Sequence, residues 1–182
     1  METVNVLTRP RYVRSVRLLH WWMALLIVAA YVLVEFHGEF PKGSAPRNAM
    51  MQGHYWAGIT IFLLVWWRLS ARARGGTPPI VPPLDRYSAL LAKLTHLALY
   101  AFFIVMPVLG CLTAAYEGKQ VLIPFTQIAL PVPVAVDKDF GHQLEDIHGT
   151  IGTLFYWVIG LHVLAALWHH LFKRDNVLER ML

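Results

Sequence analysis

The stretch IHGTIGTLFYWVIGLHVLAALWHHLF, residues 147–172, contains no Asp, Glu, Lys or Arg and is long enough to cross a bilayer as one helix. Three similar uncharged runs precede it, at residues 18–34, 48–67 and 94–116. Hydrophobic residues make up 57% of the 182-residue chain and charged residues only 15%, against about 45–50% and about 25% in soluble domains. The sequence therefore predicts an all-α integral membrane protein built as a four-helix bundle.

The whole chain, residues 1–182, is predicted to form one transmembrane domain. Its four spans are expected at about 16–37, 50–70, 88–116 and 145–172. A fifth uncharged stretch, residues 120–136, holds three prolines, which would remove backbone hydrogen-bond donors that lipid cannot replace. We therefore expect it to be a loop at the membrane surface. The composition excludes a disordered tail, a disulfide-stapled secreted scaffold and most soluble enzymes.

Lys and Arg are distributed unevenly among the segments that connect these runs. Twelve lie in the N-terminal segment (Arg9 among them), the 68–93 connection and the C-terminal segment, and four lie in the other two connections. The positive-inside rule therefore predicts that both termini are cytoplasmic. The two outer connections carry seven acids against those four basic residues, which is a net charge of −3 with His neutral.

Four of the nine histidines fall into two pairs matched by depth. His54 and His148 lie within a turn or two of the outer ends of their helices, whereas His20 and His162 lie roughly fifteen to seventeen residues inward from the outer ends of theirs. His148 and His162, 14 residues apart, lie on nearly the same helix face, about 21 Å apart along the axis. Because burying an ionisable group in a membrane is costly, these histidines indicate a function.

Two imidazoles that face each other at one depth provide the two axial ligands of a six-coordinate haem b, and a helical bundle can hold such a cofactor between facing helices. Gly58 and Gly152 each follow a histidine by four residues and would leave room for the flat macrocycle. Arg68, 14 residues after His54, and Arg17, three residues before His20, are candidates to pair with haem propionates. The predicted iron ligands are His20, His54, His148 and His162.

Other assignments of the histidines remain open. His96 lies near the depth of His20 and is a rival ligand, or a group that handles protons or contacts quinone, and His37 could compete with His54. A single histidine in a span can also serve only as a hydrogen-bonding residue between helices. Zinc would need three or four ligands at one depth, which neither level offers. His169 and His170 are expected at the cytoplasmic interface.

The ordered set of motifs around these histidines resembles the bacterial cytochrome b561 family, the small four-helix dihaem proteins of the inner membrane that include superoxide oxidase. The motifs are His-Trp at 20–21, Gly-His at 53–54, Ile-His-Gly at 147–149 and GLHVLAALWHH at 160–170, with PPIVPP at 78–83 and EFHGEFP at 35–41. The resemblance implies a multi-pass protein of the bacterial inner membrane with two haem b groups per chain. It also implies iron ligation by the four predicted histidines and ubiquinone as a partner in the membrane.

The resemblance further implies an oxidoreductase, and it names no catalytic side chain. Superoxide, as a periplasmic one-electron donor, would reduce the outer haem, and the electron would pass to the inner haem and then to ubiquinone. Because the outer connections carry a net negative charge, which does not attract an anion, superoxide as the substrate rests on the resemblance alone. Two alternatives stay open: a dihaem membrane anchor that passes electrons for a hydrogenase- or dehydrogenase-type partner, and a haem-free transporter, against which the lack of an inverted repeat argues.

Overall fold

The computed structural model describes residues 10–182, and four long α-helices account for most of them. They are α1 (Arg14–Phe36), α2 (Ala45–Gly75), α3 (Arg86–Tyr116) and α4 (Lys138–Trp168). A π-helix (His169–Lys173) continues α4, and two short 3-10 helices lie at His37–Glu39 and Glu179–Met181. Within the described part, β pairing is limited to one bridge between Leu122 and Ala129. The predicted all-α, four-helix class is confirmed.

Three of the four helical segments are long and apolar enough to cross a membrane: Arg14–Glu39, Arg86–Tyr116 and Lys138–Lys173, with mean hydropathies of 1.9, 2.2 and 1.7. Helix α2, although 31 residues long, is less apolar, because Gln52 and His54 and several glycine and tryptophan residues interrupt its aliphatic run. A fourth span through α2 therefore stays a prediction. So does the cytoplasmic placement of the termini, and Arg9, which contributes to it, lies outside the described residues.

The helices extend beyond the uncharged runs because polar residues start them in the surface region. The Asp85 carboxylate accepts hydrogen bonds from the backbone N–H groups of Tyr87 and Ser88 at the start of α3. A hydrogen bond from the Ser88 hydroxyl, together with these N–H groups, holds the pKa of Asp85 below its usual value. Asp137 starts α4 in the same way, so this helix begins seven residues before position 145. Residues 120–136 contain no helix.

The described core lies in the middle of the bundle, where α1 packs on α2, α2 on α3, and α3 on α4. Its buried members are Met23, Ile61, Val65, Leu99 and Phe103. Met23 follows His20 by three residues and Ile61 follows His54 by seven, so the core lies between the two levels of histidines. Large apolar side chains on the opposite helix faces, such as Trp22, Leu63 and Trp157, are exposed, as lipid-facing residues are. This apolar layer thus divides the bundle into a half that contains His54 and His148, called the outer half here, and a half that contains His20 and His162, called the inner half.

Candidate functional site

The outer half holds His54 of α2 and His148 of α4, whose ring centres are 6.2 Å apart. Nδ1 of His54 lies 2.9 Å from the carbonyl oxygen of Ala30. When Nδ1 carries the proton and donates to that carbonyl, Nε2 is free to bind a metal, which is the usual arrangement of a ligating histidine. Nδ1 of His148 is buried without a well-formed hydrogen bond, and the backbone carbonyl of Met106 is the acceptor near it.

The inner half brings three histidines together. The ring centres of His20 on α1 and His162 on α4 are 6.4 Å apart. His96 on α3 lies closer to His162, with ring centres 5.5 Å apart, and its Nδ1 is 2.6 Å from the Ala92 carbonyl oxygen one turn earlier in the same helix. The inner level therefore has one pair matched in depth and one additional histidine beside it.

The spacing of both predicted pairs suits a haem iron between the two rings. A bond from a metal to an imidazole nitrogen is about 2 Å long, and the ring centre lies about 1 Å beyond that nitrogen, so two axial rings have centres about 6 Å apart. Among residues 10–182, no group of three or more His, Cys, Asp or Glu side chains is arranged to hold a metal ion. A haem iron needs only two ligands from the protein because the macrocycle supplies the other four. The choice of ligands itself stays a prediction.

A cavity of about 310 Å³ adjoins the outer pair and is lined by small residues on three helices. Gly58 of α2, Gly110 of α3 and Gly152 of α4 all contribute to its wall. A Cβ added at Gly110 would come within 3.0 Å of Cε1 of His148, so this position tolerates no side chain without movement of the ring. The two predicted glycines, Gly58 and Gly152, thus lie in the wall of a cavity beside both histidines of the outer pair.

The rim of this cavity carries a compact ionic network. Nζ of Lys119 contacts the Glu117 carboxylate and lies 3.2 Å from Oε1 of Glu145. Burial opposes the charge on Lys119, but hydrogen bonds and charge attraction from both carboxylates outweigh it and raise the pKa of the amine. Glu35 also lines the cavity and accepts a hydrogen bond of 2.6 Å from the Tyr156 hydroxyl, which links α1 to α4. The rim has more acids than bases.

The inner level is surrounded by arginine instead. The guanidinium of Arg68 lies over the ring of Tyr100, 5.5 Å from its centre, and interacts electrostatically with His20 and His162. Arg68 thus reaches the inner pair, as its spacing from His54 predicts. Arg17 donates a hydrogen bond to the carbonyl of Leu182, so its predicted propionate contact stays a prediction.

Several side chains near these sites were not among the sequence-based candidates. Arg72 and Tyr100 follow Arg68 and His96 by four residues, so helical spacing could have placed them on the same faces. Arg180 and Lys119 had no such signal, because contacts distant in sequence bring them to their sites. Two histidines outside the two levels have other partners: His169 lies 2.5 Å from the Asp175 carboxylate, and Nδ1 of His37 lies 2.5 Å from the carbonyl oxygen of Val34.

Comparison with known proteins gives consistent matches along almost the whole chain. A family model described as prokaryotic cytochrome b561 matches residues 11–182. Cytochrome b561 homolog 1 of Escherichia coli (strain K12) is 34% identical over 172 residues, covering 94% of this chain and 97% of that protein. Probable superoxide oxidase CybB of Yersinia pestis is 34% identical over 164 residues, covering 90% and 91%. Cytochrome b561 homolog 2 of Escherichia coli (strain K12) is 24% identical over 170 residues, covering 90% and 86%.

Proposed function

The chain belongs to the prokaryotic cytochrome b561 family, and from that premise we propose that it is a dihaem b-type cytochrome that transfers electrons from a periplasmic one-electron donor to the ubiquinone pool. The observation that carries the proposal is the pair of histidine spacings, 6.2 Å outside and 6.4 Å inside, within one bundle. In this proposal all four helices cross the bacterial inner membrane and both termini are cytoplasmic. Reporter fusions to the C-terminus test that orientation.

The chain provides the ligands, the space and the separation that this function needs. His54 with His148 would hold one haem and His20 with His162 the other. Haem b, when bound, supplies the one-electron redox chemistry. The buried apolar side chains of Leu99 and Phe103 lie between the two sites.

We propose superoxide as the donor, as the name of the Yersinia pestis relative suggests. Two superoxide anions would give up one electron each and become dioxygen, and ubiquinone would take up two electrons and two protons to become ubiquinol. Lys119 is the basic side chain in the cavity wall and would attract the anion, although Glu117 and Glu145 offset much of its charge. His96, which the four-ligand assignment does not use, would handle protons or contact quinone on the inner side.

The proposal is tested by purifying the protein in detergent, recording its reduced-minus-oxidised spectrum, and measuring extracted haem per chain. We expect two b-type haems per chain. A content of one haem per chain would remove one of the two proposed histidine pairs. Protein that contains no haem would contradict the proposal.

The donor is tested separately with the haem-loaded protein. A ubiquinone analogue should be reduced when superoxide is supplied, and added superoxide dismutase should stop the reaction. Co-purification with a large soluble redox protein, without superoxide-dependent quinone reduction, would support the membrane-anchor alternative instead.

A further inference from the structure

The last nine residues, 174–182, fold across the inner end of the bundle, and we call them the C-terminal strap. Asn176 is 1% exposed, and its side-chain oxygen accepts a hydrogen bond of 2.8 Å from the backbone N–H of Val81. The indole N–H of Trp21 donates to the carbonyl of Met181 at 2.9 Å. The strap is therefore attached both to the connection between α2 and α3 and to helix α1.

One arginine of the strap is itself buried. The residue Arg180 is 6% exposed, its guanidinium lies 5.0 Å from the ring centre of Tyr12, and its Nη2 donates to the Tyr12 hydroxyl at 3.1 Å. Its Nε is buried and has no hydrogen-bond partner, and the same is true of Nε of Arg68. Leaving a donor of a charged group unpaired inside a protein is destabilising.

These unpaired donors belong to a cluster of three cations. Arg68, Arg72 and Arg180 all interact electrostatically with His96, and the first two lie over the same Tyr100 ring at 5.5 and 6.0 Å. Among residues 10–182, no carboxylate lies within 4.0 Å of any of the three guanidinium groups.

Asp175, an acid of the strap, is hydrogen-bonded to His169 and interacts only at longer range with Arg180. Buried charges in proteins are ordinarily paired, so three buried or half-buried cations with no carboxylate beside them favour a ligand that supplies negative charge.

We propose that the C-terminal strap is a clamp over the inner cofactor site, in which Arg180, together with Arg68 and Arg72, binds the two carboxylates of the inner haem. The inference rests on the proposed function, since it requires a haem between His20 and His162. Guanidinium groups bind carboxylates through paired hydrogen bonds, and the cluster borders the inner level through His96. Positive charge at the haem carboxylates stabilises the reduced state, which has one more electron, so the cluster raises the midpoint potential of the inner haem.

The test is a redox titration of the purified dihaem protein that resolves both haems. Replacing Arg180→Gln should shift the inner component to a lower potential and leave the outer component unchanged. Arg174→Gln removes an exposed arginine of the same strap and is the control, which should leave both potentials unchanged.

A second variant separates the effect of the strap's position from the effect of its positive charge. Asn176→Ala keeps all three arginines but loses the contact with Val81 that holds the strap in place. We expect the inner haem to pass to an apo-globin acceptor several-fold faster, with little change in the rate for the outer haem. If Arg180→Gln does not fold, Arg180→Lys retains the charge without the planar group, and it should retain the potential but release the inner haem faster.

The outcomes distinguish this inference from the function on which it rests. Wild-type protein without haem would contradict the proposed function itself. Wild-type protein with two haems, whose inner potential is the same in the Arg180→Gln variant, would contradict the clamp alone. Loss of a co-purifying anionic phospholipid from that variant, with both potentials unchanged, would assign the cluster to a lipid phosphate and also overturn the clamp.

Discussion

The outer and inner histidine pairs have similar spacings but different surroundings. The outer pair adjoins a cavity walled by glycines, with a rim of carboxylates around Lys119. The inner pair is surrounded by arginines and a third histidine, and the C-terminal strap closes its end of the bundle. The distinguishing feature of the outer site is therefore the cavity beside its glycines, and that of the inner site is the positive charge of its arginines. Added volume should affect the outer site more strongly, and loss of positive charge should affect the inner site more strongly.

The largest effect expected is the loss of a whole cofactor. His148→Ala should remove the outer haem and leave the inner one, so that extracted haem falls from two to one per chain and one component disappears from the redox titration. The control is His142→Ala, which removes an exposed histidine of the same helix and should leave two haems. Two haems in the His148→Ala variant would break the proposed outer pair.

The inner level allows a sharper test, because three histidines compete for two ligand positions. The 6.4 Å spacing of His20 and His162 suits an iron better than the 5.5 Å spacing of His96 and His162. We therefore expect His20→Ala to lose the inner haem and His96→Ala to keep it, as measured by haem per chain. The opposite result would make His96 the axial ligand.

Sequence alone predicted the parts of this contrast that follow from helical periodicity. The two levels, the place of Gly58 and Gly152 in the cavity wall, and the approach of Arg68 to the inner pair all follow from residue spacing within single helices. Matching depths paired His54 with His148, but periodicity did not predict that their helices bring the two rings together across the bundle. Nor did it predict the role of Gly110, whose constraint is set by a ring on another helix.

The C-terminal strap was equally inaccessible to sequence analysis. Its position depends on contacts of Asn176 and Arg180 with residues far away in the chain. These side chains are polar and lie after the last apolar run, where a solvated tail is the ordinary expectation. Helix α2 is the opposite case, a feature that the sequence predicts and that the helix itself supports only weakly. Its uncharged run predicts a membrane span, but its mean hydropathy is low for one.

The next effect is smaller and belongs to the outer site alone. Gly110→Ala should place a methyl group 3.0 Å from Cε1 of His148 and displace the ring, at a cost of about 1–3 kcal/mol as for other overpacked sites. We expect weaker retention of the outer haem on dilution, with the inner haem unaffected. Gly160→Ala in α4 meets nothing within 4 Å and is the matched control. Equal losses from both sites would argue against a local effect at the outer pair.

Loss of charge should act on the inner site in the same selective way. Arg68→Ala removes a cation that interacts with both His20 and His162. We expect a lower midpoint potential for the inner haem and a smaller change for the outer one. The shift should correspond to a fraction of the roughly 1.5–3 kcal/mol that a hydrogen bond to a charged group contributes. An unchanged redox titration would remove Arg68 from the set of carboxylate-binding residues.

The smallest effect concerns the approach of the donor to the outer rim. Lys119 is accompanied by Glu35 and Glu145 in the cavity wall and by Glu117 beside it, so an anion meets a net negative charge. Salt screens such charges over a Debye length of about 10 Å at 0.1 M, and superoxide-dependent reduction should therefore become a few-fold faster as ionic strength rises. Lys119→Gln should slow the reaction at low salt, whereas Lys138→Gln, at the start of α4, should change it less.

The pH dependence of that rate gives a check on the same network. The raised pKa of Lys119 means that its charge, and the stabilisation that the charge provides, is fully present below the usual value of 10.5 and is lost only as pH rises through the higher folded value. Between about pH 6 and pH 9 the salt effect should therefore keep its sign and size, because the amine stays protonated. A rate that falls with added salt at neutral pH would mean that the donor encounters a positive surface. Positive charge, and not the cavity alone, would then have to be counted among the features of the outer site.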